Sequence, residues 1–194
     1  MDKYSYGLGL GIAQNMLSMG AEDIMLDDFI QALKDVFEGK PTAMSFNEAQ
    51  EIVSAHFAEL EKQAAAAAIE QGEMFLKINK ERPGVVALKS GLQYEVLKSG
   101  NGRQPKATDQ VRCHYEGRLV DGTLFDSSIE RGEPAVFGVN QVIQGWVEAL
   151  QLMREGDKWK LFIPYQLGYG AQGAGGAIPP YSTLVFEVEL LQVL

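Results

Sequence analysis

The chain has 194 residues, of which 46% are hydrophobic and 22% charged. That is enough apolar material for a packed core and excludes wholesale disorder. A formal charge of −9 and an isoelectric point near 4.8 disfavour nucleic-acid binding, which draws its affinity from lysine and arginine displacing counterions around phosphates, and the single cysteine, Cys113, excludes an internal disulfide or a thiolate-built metal site.

No apolar run approaches the ~20 residues that a membrane-spanning helix needs. The N-terminus, Met1-Asp2-Lys3-Tyr4, shows no basic segment followed by an apolar core and a cleavage site. A cytoplasmic chain is expected, or a periplasmic one if a signal peptide has been removed.

Charge and period divide the chain in two. Residues 1–84 carry 14 acids and 7 bases, and residues 85–194 carry 12 acids and 10 bases. In the first part Leu8 and Ile12, then Phe29, Ile30, Leu33 and Phe37, then Val53, Phe57, Leu60, Ala64 and Ala67 recur at helical spacing. Gly39 and Pro41 end the second helix, while Ser45 and Glu48 form a capping box that starts the third. No breaker follows until Pro83, so the third helix is expected to run from about residue 45 to 80, roughly 50 Å at 1.5 Å per residue. The two short helices before it cannot cover such a rod, and self-association of residues 1–84 as a helical dimerisation domain is expected.

Residues 82–91 read as a linker, with Pro83-Gly84 and Ser90-Gly91 as its turn signals. The period then becomes two. Leu92, Tyr94 and Val96, then Val111, Cys113 and Tyr115, then Trp159, Leu161 and Ile163, then Leu184, Phe186, Val188 and Leu190 alternate with other residues as half-buried strands do. Asp121-Gly122 marks a hairpin turn. One helix interrupts the strands, with Asn140 in its N-cap region and Trp146, Ala149, Leu150 and Met153 as its buried stripe. Residues 85–194 are therefore expected to form an antiparallel sheet packed on one short helix, and the whole chain to be α+β.

Most catalytic arrangements fail on inspection. His56 and His114 fall in different expected domains without metal-ligand spacing. Cys113 and His114 are neighbours on a strand, where adjacent side chains point to opposite faces. The glycines at 168, 170, 173, 175 and 176 are not followed by the Lys-Ser or Lys-Thr of a phosphate loop. What remains is a set of aromatic residues near strand ends and turns, among them Trp146 directly after Gly145, with the Asp126 carboxylate beside Phe125.

At these residues a family resemblance is carried by Tyr115-Glu116-Gly117, the run from Asp121 to Ser128, Val142-Ile143-Gln144-Gly145-Trp146, Tyr169-Gly170, Ile178-Pro179-Pro180 and the run from Leu184 to Leu190. Together they resemble the FKBP-type peptidyl-prolyl cis-trans isomerases. Phe75-Leu76, Pro83-Gly84-Val85-Val86 and Ser90-Gly91-Leu92-Gln93-Tyr94 look like the linker of the bacterial macrophage infectivity potentiator subgroup, and the glycine-rich first helix is similar too.

The resemblance implies a half-open antiparallel sheet wrapped around the short helix, with the active cleft between them. It implies Trp146 as the floor for a proline ring and Tyr115, Phe125, Phe137, Val142, Ile143 and Phe186 as walls. Asp126, supported by Tyr115 and Arg131, would form a polar lip. The Tyr169 hydroxyl and the Ile143 N–H would hold substrate carbonyls, with Ile178 also contributing to substrate binding. No cofactor or metal is implied. The partners implied are proline-containing peptides, unfolded protein clients, macrolide inhibitors of the tacrolimus and rapamycin class, and a second copy joined through the N-terminal helices. Ala135, Ala174 and Ala177 depart from the larger residues common in single-domain members and thin the upper rim. A holdase that grips apolar or proline-containing segments is the competing reading.

Overall fold

Three helices precede a seven-stranded sheet in the computed structural model, which describes residues 1–194. Two compact units divide between Gln63 and Ala64.

The first unit holds α1 (Lys3–Ser18), α2 (Leu26–Phe37) and the beginning of α3 (Phe46–Asn79). Asp2 caps α1, its carboxylate accepting from the Ser5 N–H at 2.7 Å. Gly39, at φ 67°, follows α2 in the left-handed conformation that side chains disfavour. The capping box of α3 is reciprocal, as expected: the Ser45 hydroxyl accepts from the Glu48 N–H at 3.2 Å, and the Glu48 carboxylate accepts from the Ser45 N–H at 2.8 Å. Within one chain α1 and α2 bury no residue, and Leu8, Ile12, Ile30 and Phe37 stay exposed. No helix is long and apolar enough to cross a membrane.

The second unit contains β1 (Val85–Ala87), β2 (Gln93–Lys98), β3 (Gln110–Leu119), β4 (Leu124–Ser127), β5 (Ala135–Gly138), α4 (Gln144–Leu150), β6 (Lys158–Ile163) and β7 (Leu184–Val193). All pairs are antiparallel, in the order β1-β2-β6-β7-β3-β4. The long strand β3 also serves β5, which pairs with its first half while β4 pairs with its second. Asp121-Gly122 makes the turn between β3 and β4, with Gly122 at φ 91°. This is the α+β architecture the sequence leads one to expect.

Period-two burial holds through the middle of the sheet. Val111, Cys113 and Tyr115, then Trp159, Leu161 and Ile163, then Leu184, Phe186, Val188 and Leu190 are all buried. With Trp146, Ala149, Leu150 and Met153 they form one core. Burial raises the Cys113 thiol to about 12, so it stays protonated and unreactive. Gly145 lets α4 approach β6, for a Cβ there would stand 2.6 Å from the Ile163 side chain.

Three local expectations change. The segment read as a linker joins the sheet, because Val85–Ala87 pairs with Gln93–Glu95. Asn140 does not cap α4; it lies in a tight 3-10 turn, Val139–Gln141, and the N-cap is Ile143, without a side-chain cap bond. Val96 is exposed although it pairs with Trp159, and the register of β2 shifts just beyond it, between Val96 and Lys98.

The second unit also begins inside α3 rather than after it. Phe75 packs on Phe162 with ring centroids 6.0 Å apart. The buried Asn79 donates to the Gln93 side chain at 2.9 Å, and Gln93 donates to the Leu76 carbonyl at 2.9 Å. At Gly72 a Cβ would collide with the Thr183 hydroxyl. The last turns of α3 thus cover the outer face of the sheet, which is why Phe162 is buried on the side that alternation assigns to solvent.

Candidate active site

Between α4 and the inner face of the sheet lies an open cavity of about 550 Å³. Its base is Trp146, in the first turn of α4 and only 3% exposed. Three rings stand edge-on to the indole: Tyr115 at 5.4 Å and 86°, Phe137 at 5.5 Å and 77°, and Phe186 at 5.3 Å and 83°. Edge-to-face contacts put positive ring edges against negative faces and are worth about 0.5–1.5 kcal/mol each beyond burial. Phe125 adds a fourth ring, edge-on to Phe186 at 5.4 Å. Gly117 of β3 makes room for both, since a Cβ there would lie 2.6 Å from each ring.

A polar cluster occupies one edge. The Tyr115 hydroxyl donates to Asp126 at 2.5 Å. Arg131 donates to the other Asp126 oxygen and, at 2.7 Å, to the Tyr115 hydroxyl; its guanidinium also sits 5.5 Å from the centre of the Tyr115 ring. Burial pushes the Asp126 carboxyl upward, but the hydrogen bonds from Tyr115 and Arg131 and the Arg131 charge outweigh it and hold the group below the usual carboxylate range. Burial and the bond to Asp126 push the Tyr115 phenol up, and burial with the Asp126 charge does the same to Tyr169. At neutral pH this edge holds a carboxylate, a guanidinium and neutral phenols. None of them is poised as a general acid or base near pH 7.

The rest of the lining comes from the end of the 3-10 turn with the two residues that follow it, and from the loop between β6 and β7. Gln141, Val142 and Ile143 line the cavity from the first; Tyr169, Ala174, Gly175, Ala177 and Ile178 line it from the second. The Ile143 carbonyl accepts from the Trp146 and Val147 N–H groups at 2.9 and 3.1 Å, which starts α4. As the N-cap residue, Ile143 keeps its own N–H outside the helical ladder.

Ten of the residues singled out from sequence line this one cavity: Tyr115, Phe125, Asp126, Phe137, Val142, Ile143, Trp146, Tyr169, Ile178 and Phe186. Arg131 is not among the lining residues and reaches the site through Asp126 and Tyr115. Ala174 and Ala177 form part of the rim, whereas Ala135 packs against the core and lies outside the lining. Sequence reasoning missed Gln141 and Gly175. Gln141 is polar and nonperiodic, and its adjacency to Val142-Ile143 is the only signal that points to it.

Comparison with known proteins identifies the family and the fold. A family model described as FKBP-type peptidyl-prolyl cis-trans isomerase matches residues 101–191, and one described as the domain amino terminal to FKBP-type peptidyl-prolyl isomerase matches residues 1–96. The FKBP-type 22 kDa peptidyl-prolyl cis-trans isomerase of Escherichia coli strain K12 is 45% identical over 98% of this chain and 94% of its own. The Outer membrane protein MIP of Legionella longbeachae is 38% identical over 99% of this chain and 85% of its own. Among solved structures, FkpA from Escherichia coli superposes with a TM-score of 0.81 at 35% identity, covering 98% of this chain and 95% of that one.

Proposed function

The chain belongs to the FKBP-type peptidyl-prolyl cis-trans isomerases and is a peptidyl-prolyl cis-trans isomerase acting on proline-containing peptides, and from that premise we propose that the Xaa-Pro bond turns inside the ring-lined cavity over Trp146. Rotation breaks no sigma bond. Its barrier, about 18–20 kcal/mol, is the loss of amide resonance, and the planar amide is more charge-separated than the twisted one. Transfer from water into an apolar cavity therefore raises the planar state relative to the twisted one, and about 4 kcal/mol of such a difference gives roughly a thousandfold in rate.

In this reading Trp146 floors the site for the proline ring, and Tyr115, Phe125, Phe137, Val142, Ile143 and Phe186 wall off water. Asp126, braced by Tyr115 and Arg131, is the polar lip. The Tyr169 hydroxyl and the Ile143 N–H hold flanking carbonyls, and Ile178 closes the rim. The observation that carries the reading is the open volume of about 550 Å³ bounded by four edge-packed rings, combined with an edge that has no group titrating near neutrality. The same cavity accepts macrolides of the tacrolimus and rapamycin class, with Ala174 and Ala177 leaving its rim low.

The unburied apolar side chains of α1 and α2 support a homodimer through the N-terminal helices, with residues 1–84 as the dimerisation segment and 85–194 as the catalytic one. Two cavities on one dimer raise the effective concentration of a client's second contact, which supports folding-chaperone activity beside isomerisation. The cytoplasmic placement expected from the N-terminus finds no support among the relatives, one of which is named for the outer membrane. We therefore adopt the periplasmic alternative. Isomerisation of an Xaa-Pro peptide, titrated with a macrolide and compared with refolding of an unfolded protein, tests the reading. Peptide turnover that a saturating macrolide leaves untouched overturns the assignment to this cavity.

A further inference from the structure

Tyr181 is the one non-glycine residue with a positive φ, 60°. In the left-handed region an L side chain crowds the following carbonyl, and such a conformation persists where the surroundings overdetermine it. Here they do. The Tyr181 N–H donates to the Gly170 carbonyl at 2.9 Å, and its ring stands edge-on to Tyr165, centroids 5.3 Å apart at 71°. The Tyr165 carbonyl in turn accepts from the Gly168 and Gly170 N–H groups, both at 3.0 Å. The two tyrosines therefore clasp the base of the loop between β6 and β7 from its two ends.

Everything this loop gives to the cavity lies between the ends of the clasp: Tyr169, Ala174, Gly175, Ala177 and Ile178. At the tip Ala174 and Ile178 exchange backbone hydrogen bonds of 2.9 and 3.0 Å. Gly173, at φ 64°, sits where a Cβ would strike the Ile178 carbonyl. Five glycines, at 168, 170, 173, 175 and 176, leave the stretch before Pro179-Pro180 with few conformational restraints of its own beyond the Ala174–Ile178 pair. Its aim depends on its ends. A glycine or asparagine at 181 would relieve the backbone but would lose the ring that packs on Tyr165.

We infer that Tyr181, with Tyr165, is a positioning residue for the isomerase reaction: the clasp aims Tyr169 and Ile178 at the peptide bound over Trp146. The inference rests on the cavity being the site proposed above. Neither tyrosine lines the cavity, and the ring contact makes no use of the Tyr181 hydroxyl, so both act through the loop.

The test uses the full-length protein with four variants, Tyr181→Phe, Tyr181→Gly, Tyr165→Leu and Trp146→Leu, assayed on an Xaa-Pro peptide with amide hydrogen exchange measured alongside. Tyr181→Phe keeps the ring and is expected to match wild type in both. Tyr181→Gly and Tyr165→Leu are expected to speed exchange across residues 170–178 while strand β7 stays protected. Both are expected to lower kcat/KM about tenfold, mostly through KM, short of the hundredfold that a 1 Å misplacement at the reacting atoms can cost. If Trp146→Leu loses turnover while Tyr181→Gly and Tyr165→Leu keep wild-type KM and loop protection, the clasp has no positioning role. If Trp146→Leu also turns over normally, the cavity reading itself falls.

Discussion

The Tyr115 hydroxyl and the Asp126 carboxylate meet at 2.5 Å, and Arg131 bonds to both. This fixes the protonation states at the cavity edge and with them the pH response. Asp126 is held below the usual carboxylate range, so its ionised form favours the folded state; that contribution is present above the unfolded value of about 3.9 and is lost as pH falls through the lower folded value. Tyr115 is raised, so its contribution is complete below the unfolded value of about 10 and is lost as pH rises through the higher folded value. Peptide kcat/KM should therefore be flat from about pH 5 to 9. A bell-shaped profile centred near neutrality would demand a general acid and base and sink the desolvation mechanism.

Asp126 and Arg131 are each nearly half exposed, with side-chain exposures of 42% and 47%. Solvent screening keeps the contribution of such a pair to stability small. Asp126→Leu should accordingly leave thermal stability almost unchanged while weakening peptide or macrolide binding by about fivefold, the loss of one partly exposed hydrogen-bonded contact. A fall in kcat with KM unchanged would move Asp126 from recognition into the rotation step.

Replacing Trp146 removes the base against which three rings pack. Truncation of a buried aromatic to alanine costs about 3–5 kcal/mol, so Trp146→Leu, which leaves a smaller cavity than alanine would, is the cleaner variant. It should retain the fold by circular dichroism and lose at least tenfold in kcat/KM, about 1.4 kcal/mol of transition-state stabilisation. Wild-type turnover in a folded Trp146→Leu protein removes the floor assignment.

Tyr169 is 39% exposed and reaches the cavity from the β6–β7 loop. If its hydroxyl holds a substrate carbonyl, Tyr169→Phe should cost about 1 kcal/mol, roughly fivefold in kcat/KM. An unchanged rate assigns the residue to packing alone.

Local signals carried much of this far. The Ser45–Glu48 capping box, the Asp121-Gly122 turn and the alternation through β3, β6 and β7 each record a short-range constraint, and each is met in the structure. Most of the cavity was legible through motif residues that the fold gathers from β3, β4, β5, α4 and β7. What stayed hidden depends on distant parts of the chain. Phe162 reads as a solvent-facing position until Phe75 of α3 covers it, and Gln93 reads as polar surface until Leu76 and Asn79 bond to it. Nor does any local pattern mark Tyr181 as left-handed, because that conformation follows from where Tyr165 and Gly170 lie.

The packing of α3 on the sheet predicts where the catalytic unit can be cut. A fragment of residues 85–194 lacks Phe75, which covers Phe162, and Arg82, whose guanidinium sits 5.8 Å over the same ring. It also strips Gln93 of both its partners in α3. Re-exposing a phenylalanine costs about 1.5–3 kcal/mol, which for a domain of this size lowers Tm by about 10 °C. A fragment of residues 64–194 keeps these contacts and should melt close to the value of the same unit in the full chain. Gly72→Val in the full chain tests the packing independently, since its side chain must displace the buried Thr183 and should lower Tm in the same direction. Equal melting temperatures for the two fragments, with Gly72→Val unchanged, would mean that α3 rests on the sheet without stabilising it.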